Sequence, residues 1–304
     1  MRLNRLDLNL LVALDALLTE RSITLAAERI CLSQPATSGA LARLREFFND
    51  DLLVRVGAKM QPTPLGESLA EPVHNILLQI QATVDRGVTF DPYTCNRKFK
   101  FIAGDYSSTV LLTAVAKQIN SLAPGIQFEF FIPSNKPAEV LDRAEVDFMI
   151  MPMSIKVDHH PCEELFSEKF VCIACEQNDA VHENITLDDF LNLGHVTVKF
   201  GTSRVTSQDQ VLMRDKWGKE PKVEIITSTF NAIPQFLPGT ARVATVYQHL
   251  AEHWQALIPI KTVPLPEPLP EISWALQWHK YRDQDPALIW LREQIIATAR
   301  KTFA

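Results

Sequence analysis

A chain of 304 residues, 46% of them apolar, is long enough for two or three globular domains. No uninterrupted apolar run reaches the length of a membrane span, and Arg2, Asn4, Arg5 and Asp7 break up any signal-peptide core, so a cytoplasmic protein is expected. The net charge of −6 argues against bulk attraction to nucleic acid, but it divides unevenly: residues 1–62 carry a net +1 and the rest −7.

In chain order, Leu10, Leu11, Leu14, Leu17 and Leu18 recur at spacings of three and four, which predicts a helix with one buried stripe and Asp7 at its N-cap. A second helix should begin near Ser22 or Thr24. Its Ala26 and Ala27 admit a close neighbour, and it runs out at Cys31, Leu32 and Ser33. Ser33 then caps a third helix with Pro35 in the first turn, where a missing N–H does no harm. Ser33, Gln34, Thr37, Ser38, Arg43 and Arg45 fall on its polar side, and Ala36, Ala40, Leu41, Leu44, Phe47 and Phe48 on its buried side. This order is a helix-turn-helix. The polar face suits a DNA major groove, with hydroxyls and Gln34 reaching base edges and arginines meeting phosphate or guanine. A merely solvated three-helix bundle is the plain alternative. Against it stands 51–64, two short extended runs around Gly57 and Ala58 that form a β-hairpin wing, with Arg55 and Lys59 placed to touch the sugar-phosphate backbone.

The order DLNLL, AAERICLSQPATSGALARLRE, DDLLVR and PTPLG resembles the winged helix-turn-helix of LysR-type transcriptional regulators, over about the first quarter of the chain. Further along, FKFIAGD, VDFMIMP, GHVTVKFG and IWLR resemble the branch that holds nodulation regulators and regulators of aromatic-compound degradation. The resemblance implies an α/β chain with an N-terminal all-α winged helix-turn-helix, Thr63 included in its DNA-contacting set, and a two-lobed periplasmic-binding-protein-like effector domain. It also implies a homodimer and homotetramer on a partly palindromic operator in double-stranded DNA, RNA polymerase as a partner, and a small aromatic or phenolic inducer. Flavonoids, salicylate-like acids and chlorinated phenols all serve relatives.

The expected domains are 1–62 for DNA binding, 63–90 as a dimerisation helix and hinge, and 91–304 for the effector. Leu65, Leu69, Val73, Ile76, Ile80 and Val84 make a near-heptad stripe that would zip two copies together, although Pro72 should bend the helix. Strands are then predicted over 98–103, 126–132, 146–151, 169–174, 195–200, 222–227, 243–246 and 272–277, alternating with helices over 106–122, 138–143, 187–191, 203–217, 230–237 and 286–303. Such alternation implies open, largely parallel sheets. The first lobe is expected at 91–161 and 267–304 and the second at 162–266, with crossovers near Pro161 and 264–270.

Ligands in open α/β sheets lie beyond the carboxyl ends of strands. That rule selects Asp105, Tyr106, Ser107, Ser108, Met151 and Met153 in the first lobe, and Phe200, Gly201, Thr202, Ser203, Arg204, Phe230, Asn231 and Ile233 in the second. The resemblance to aromatic-responsive regulators adds Lys169. Aromatic and methionine walls with a few directional polar groups fit a substituted ring. Asp105 would disfavour a carboxylate on the first lobe, whereas Lys169, Arg204 and a helix N-terminus at Ser203 would favour an anion or phenolate on the second. Ser107 and Ser203 have a plain role as helix caps, and Phe230 and Met151 as core.

Five cysteines, an odd and scattered set, form no disulfide framework; Cys172 and Cys175 belong to an apolar strand with their sulfurs on opposite faces. His159-His160 has no ligand-spaced partner in the chain, so neither metal nor cofactor is expected. No G-x-S-x-G, G-x-x-x-x-G-K or H-E-x-x-H motif suggests an enzyme. A solute-binding protein would explain the two lobes but would have no use for residues 33–45.

Overall fold

The computed structural model describes residues 6–57, 59–84, 90–133, 136–200 and 205–303. The chain divides into two compact units, Met1–Val88 and Thr89–Ala304.

In the first unit, α1 (Asn9–Glu20) buries Leu10, Leu11, Leu14, Leu17 and Leu18, and the Asp7 carboxylate accepts from the Asn9 N–H at 3.0 Å. Helix α2 (Ile23–Arg29) is capped by the Ser22 hydroxyl, and its buried Ala26 and Ala27 allow the close approach expected. Ser33 caps α3 (Gln34–Phe48) by accepting from the Ala36 N–H at 3.3 Å. Strands β1 (Leu53–Val56) and β2 (Lys59–Pro62) pair antiparallel as the wing. Helix α4 (Pro64–Val84) follows, with Gly66 so close beneath Leu52 that a Cβ would lie 2.3 Å from its carbonyl oxygen.

The apolar stripe of α4 is not one continuous exposed seam, because its first half packs within the chain. Val73 is buried in the helix-turn-helix core, and Leu65, Leu69 and Leu77 pack on the same core. His74 Nδ1 meets Asp15 of α1 at 2.8 Å. Only the later residues, Ile76, Ile80 and Val84, are exposed, at 44%, 41% and 69%. Helix α4 is therefore a fourth helix of the first unit. Pro72 lies inside it and leaves the Ser68 carbonyl without its usual donor.

The second unit begins with β3 (Lys98–Ala103), which runs into α5 (Asp105–Ser107), a π turn at Ser108–Leu112 and α6 (Thr113–Leu122). Strand β4 (Gln127–Phe131), α7 (Pro137–Asp142), β5 (Phe148–Pro152), β6 (Cys162–Glu168) and β7 (Phe170–Cys175) come next, then α8 (Leu187–Asn192) and β8 (His195–Phe200). After them stand β9 (Val205–Thr206), α9 (Gln208–Trp217), β10 (Val223–Thr227), a 3-10 segment Phe230–Phe236, β11 (Val243–Tyr247) and α10 (Gln248–Gln255). Strands β12 (Ile260–Val263) and β13 (Ile272–Gln277) lead to α11 (Pro286–Thr302).

Two sheets result, in the orders β4-β3-β5-β13-β6 and β10-β8-β11-β7-β12. In each, the three strands at one end run parallel and the two at the other pair antiparallel. The chain crosses between sheets at Lys169, not near Pro161, because β6 pairs with β13 in the first sheet. The second crossing lies between β12 and β13, where it was expected. Two predicted helices also change: residues 205–206 extend β8 as an antiparallel ribbon, so α9 starts at Gln208 and not at Ser203, and Phe230–Phe236 is 3-10, with Pro234 inside it.

Candidate DNA-reading surface and effector cleft

The start of α3 presents Gln34, Pro35, Ala36 and Ser38 to solvent, with Ser33 beside them as the cap. Ala36 was expected inside. Thr37 moves the other way: it is fully buried and donates to the Ser33 carbonyl at 3.2 Å, so it secures the first turn and cannot enter a groove. Arg43 is exposed, 3.8 Å from Asp7. Arg45 Nε and Nη2 donate to the Asp51 and Leu53 carbonyls at 2.8 and 2.7 Å and tie the helix to the wing, while the side chain stays 39% exposed. Arg55 is exposed on the wing and donates to the Gly57 carbonyl at 3.2 Å. Of Lys59 only the backbone is described. Thr63 is half-buried and caps α4, accepting from the Gly66 N–H at 3.0 Å and donating to Asp50 at 2.6 Å, a bond that holds the Asp50 carboxyl below its usual range.

Between the two sheets of the second unit lies a cluster of rings. Tyr106, just after β3, sits 4.4 Å from Tyr247 at the end of β11 and 4.8 Å from Trp274 of β13. Phe230 lies 5.2 Å from Tyr247 and 5.6 Å from Phe200. Two hydrogen bonds join the sheets: the Asn231 N–H donates to Asp105 at 2.7 Å, and its side-chain amide donates to Thr109 at 2.8 Å. Burial raises the Asp105 carboxyl against these donors. The π turn beginning at Ser108 shifts the helix register beside this bridge, a distortion often found at functional sites.

Around the rings are buried polar atoms with no hydrogen-bond partner: the hydroxyls of Tyr106, Ser207 and Thr245, Glu168 Oε2, Asp209 Oδ1, Asn231 Oδ1 and Trp274 Nε1. Burial pushes the Asp209 carboxyl up to about 6 and raises both tyrosine hydroxyls. Glu168 is 1% exposed, and His249 of α10 pairs with its other oxygen. That hydrogen bond raises the imidazole's pKa. The pair therefore stabilises the second unit below the ordinary histidine value, and the contribution is lost as pH rises through the raised one. His249→Gln should flatten this part of a stability–pH profile followed by urea unfolding; a slope identical to that of the unsubstituted chain would assign the effect elsewhere.

Other residues selected from sequence fall differently. Ser107 is buried and donates to the Gly104 carbonyl, Met151 packs on the separate small core of Ile102, Leu141 and Met149, and Met153 and Ser108 are half-buried. Ile233 is buried in the main core. Lys169 points outward, 66% exposed and 3.7 Å from Glu271. Gly201, Thr202, Ser203 and Arg204 lie outside the described residues. The cluster also gathers Tyr247 and Trp274, with the Glu168–His249 pair and Asp209 beside them, none of which the strand-end rule selects.

All five cysteines are free, and burial pushes the Cys172 thiol up to about 12. His159 and His160 do meet a third group, with their Nε2 atoms 2.6 and 2.9 Å from one oxygen of Asp142. The Lys280 N–H donates to His160 Nδ1 at 3.3 Å, which places the His160 proton on Nε2, towards Asp142. The trio is a hydrogen-bonded cluster whose His160 lone pair faces away.

A winged helix-turn-helix followed by two α/β sheets that share a cluster of buried rings defines a DNA-binding regulator with an effector-type domain. The family models agree: residues 8–67 match the bacterial regulatory helix-turn-helix protein of the lysR family, and residues 96–300 the LysR substrate binding domain. The chain belongs to the LysR family of transcriptional regulators. It is 41% identical to nodulation protein D 2 of Rhizobium tropici, covering 98% of this chain and 95% of that one. Nodulation protein D 1 of Mesorhizobium japonicum is 40% identical, with 99% and 96% covered. Among solved structures, a full-length OxyR variant from Pseudomonas aeruginosa superposes with a TM-score of 0.75 at 19% identity, covering 97% and 95%. CbnR in complex with its target DNA gives 0.57 at 14% identity, covering 98% and 100%, and shares the fold. Among the described residues no helix is long and apolar enough to cross a membrane.

Proposed function

We propose that the chain is a cytoplasmic transcriptional activator that binds a partly palindromic operator and answers to a small aromatic or phenolic inducer held between its two sheets. The observation that carries the inducer reading is the ring cluster between the sheets, where rings from both surround buried polar atoms without partners. Folded proteins rarely leave such atoms unpaired, and a few polar groups among apolar walls are what a ligand pocket needs. Gln34 and Ser38 read bases, while Arg43 and Arg55 meet the backbone.

Assembly follows the exposed apolar rows. Ile76, Ile80 and Val84 offer a seam for a dimer. Phe130, Phe131 and Ile132 at the edge of one sheet, and Val223 and Ile226 at the edge of the other, offer surfaces for pairing dimers into a tetramer. RNA polymerase is the further protein partner.

Replacing both Gln34 and Ser38 by Ala should reduce discrimination between operator and random DNA by ~1–3 kcal/mol per lost base contact, read by mobility shift. Arg55→Ala should weaken both kinds of binding alike. An operator preference that survives the double replacement would remove α3 from the reading role. In the same assays Phe230→Ala should lose inducer-dependent transcription and keep ligand-free operator binding.

A further inference from the structure

We propose that Glu168 and His249 form a proton-controlled latch between the two lobes of the second unit, and that this latch opposes inducer entry until it loosens at higher pH. The proposal rests on the inducer reading above and adds its regulation. Glu168 ends β6 of the first sheet, at the crossover into β7, and is 1% exposed. His249 belongs to α10, which packs on the second sheet. The Glu168 carboxylate meets His249 Nδ1 and also acts on the Tyr106 hydroxyl, in the turn after β3. Phe303, after α11, adds a second contact from the first lobe: its ring stacks on Phe166 of β6 at 3.6 Å and meets the His249 ring at 4.6 Å. At the crossover itself the Gln248 N–H donates to the Lys169 carbonyl at 2.9 Å.

Charge decides the strength of this contact. With His249 protonated the pair is a charge-assisted hydrogen bond, about twice as strong as its neutral counterpart. The bond to Glu168 raises the imidazole pKa, so the charged form outlasts the ordinary histidine value and is lost as pH rises through the raised one. The other charged groups on the elements around His249 are Glu252 of α10 itself, which favours the imidazolium, Lys169 at the crossover, paired with Glu271 at 3.7 Å, Lys261 of β12, Glu163 and Glu164 at the far end of β6, and Arg300 and Lys301 in the last turn of α11. Glu168 alone among them is buried.

The rings explain why such a latch works against a ligand. Tyr247 of the second lobe lies 4.4 Å from Tyr106 and 5.7 Å from Trp274 of the first, so a further ring enters between the lobes only where these contacts part. Whatever holds the lobes together counts against that step, and the ligand gains by the same amount when the hold weakens.

The test uses the full-length chain at about pH 6 and about pH 8, a range that spans histidine titration, with a methoxylated flavone as probe because nothing in it titrates there. Calorimetry should show roughly threefold or more tighter binding at the higher pH, and His249→Gln should bind equally at both, close to the wild type's higher-pH value. Amide exchange at Gln248, compared at each pH with an unstructured reference peptide, needs no ligand. Its protection should fall as pH rises in the wild type and stay level in His249→Gln. Tryptophan emission checks that the variant is folded, and wild-type exchange decides the latch if it is not. Wild-type exchange that ignores pH would overturn the latch, and wild-type affinity that ignores pH would overturn its coupling to the ligand. A pH response retained in folded His249→Gln would assign both effects to another group and sink the proposal. Phe230→Ala tests the reading beneath it. If that variant binds the probe as the wild type does, or the wild type does not bind it at all, the inducer reading fails and exchange alone decides the latch.

Discussion

Asp147→Asn should lower the stability of the second unit by about 3 kcal/mol, the lower end of what removing one partner of a buried ion pair costs. Asp147 is 4% exposed, and one of its oxygens accepts from Arg97 at 2.9 Å and from Arg282 at 2.7 Å. The other accepts from the Lys100 N–H at 2.8 Å, at the start of the first sheet. Arg97 also reaches Asp285 at 2.6 Å, and Asp285 caps α11 by accepting from the Ala287 and Leu288 N–H groups. Two arginines and two aspartates thus pin the last helix to β3. With Asn in place, Arg97 keeps Asp285, but Arg282, whose charge burial already disfavours, loses its acid. The lower figure is used because the Arg97 side chain is 33% exposed and water screens part of the loss. All five tryptophans, Trp217, Trp254, Trp274, Trp278 and Trp290, lie in this unit, so their emission during urea unfolding reports it alone. Adding Arg282→Met should recover much of the loss by removing the unpaired charge. A single variant within 1 kcal/mol of wild type, a bound well under the typical cost, would show that the network contributes little.

The helix-turn-helix was legible because its signals are local: caps at Ser22 and Ser33, a three-and-four leucine spacing, and an alanine pair at a helix contact. Its errors are instructive. Thr37 lies three residues before Ala40 and seven before Leu44, on the stripe α3 buries, so its position was readable; a hydroxyl was weighed as polar, although a helical threonine can satisfy itself on the carbonyl four residues back. The charge of Arg45 says nothing of its partners, because only the fold brings the Asp51 and Leu53 carbonyls to it. Strand β6 was missed because its run, Cys162–Glu168, has only two buried apolar residues, Leu165 and Phe166, among glutamates. That omission placed the crossover too early and hid Glu168. The strand-end rule selects Tyr106, Phe200 and Phe230, whose rings do lie together. Tyr247 and Trp274 reach the same cluster from strands whose residues look like ordinary core, and Asp209 enters only because α9 starts later than its composition suggests.

Leu69→Asp and Ile80→Asp should have opposite consequences although both sit on one stripe of α4. Periodicity says that a residue is apolar and on a given face, not what covers that face. Leu69 packs on the core of α1, α3 and the wing base, so an aspartate there gives up apolar burial and places a charge against it, at a cost of about 3 kcal/mol or more. The first unit should then unfold at a lower temperature or be lost outright, and operator binding with it. Because this unit holds no tryptophan, far-ultraviolet circular dichroism has to follow it while tryptophan emission stays native. Ile80 is 41% exposed and does not belong to the helix-turn-helix core that holds Leu69. Ile80→Asp should keep both units folded, yet in the proposed seam it would set two like charges against each other and lower the mass measured by light scattering. Operator affinity should fall with that mass, because a single head covers only half of a palindromic site. A wild-type melting profile for Leu69→Asp would contradict the packing described for α4. A wild-type mass for Ile80→Asp, with both units intact, would move the dimer seam off the exposed half of this helix.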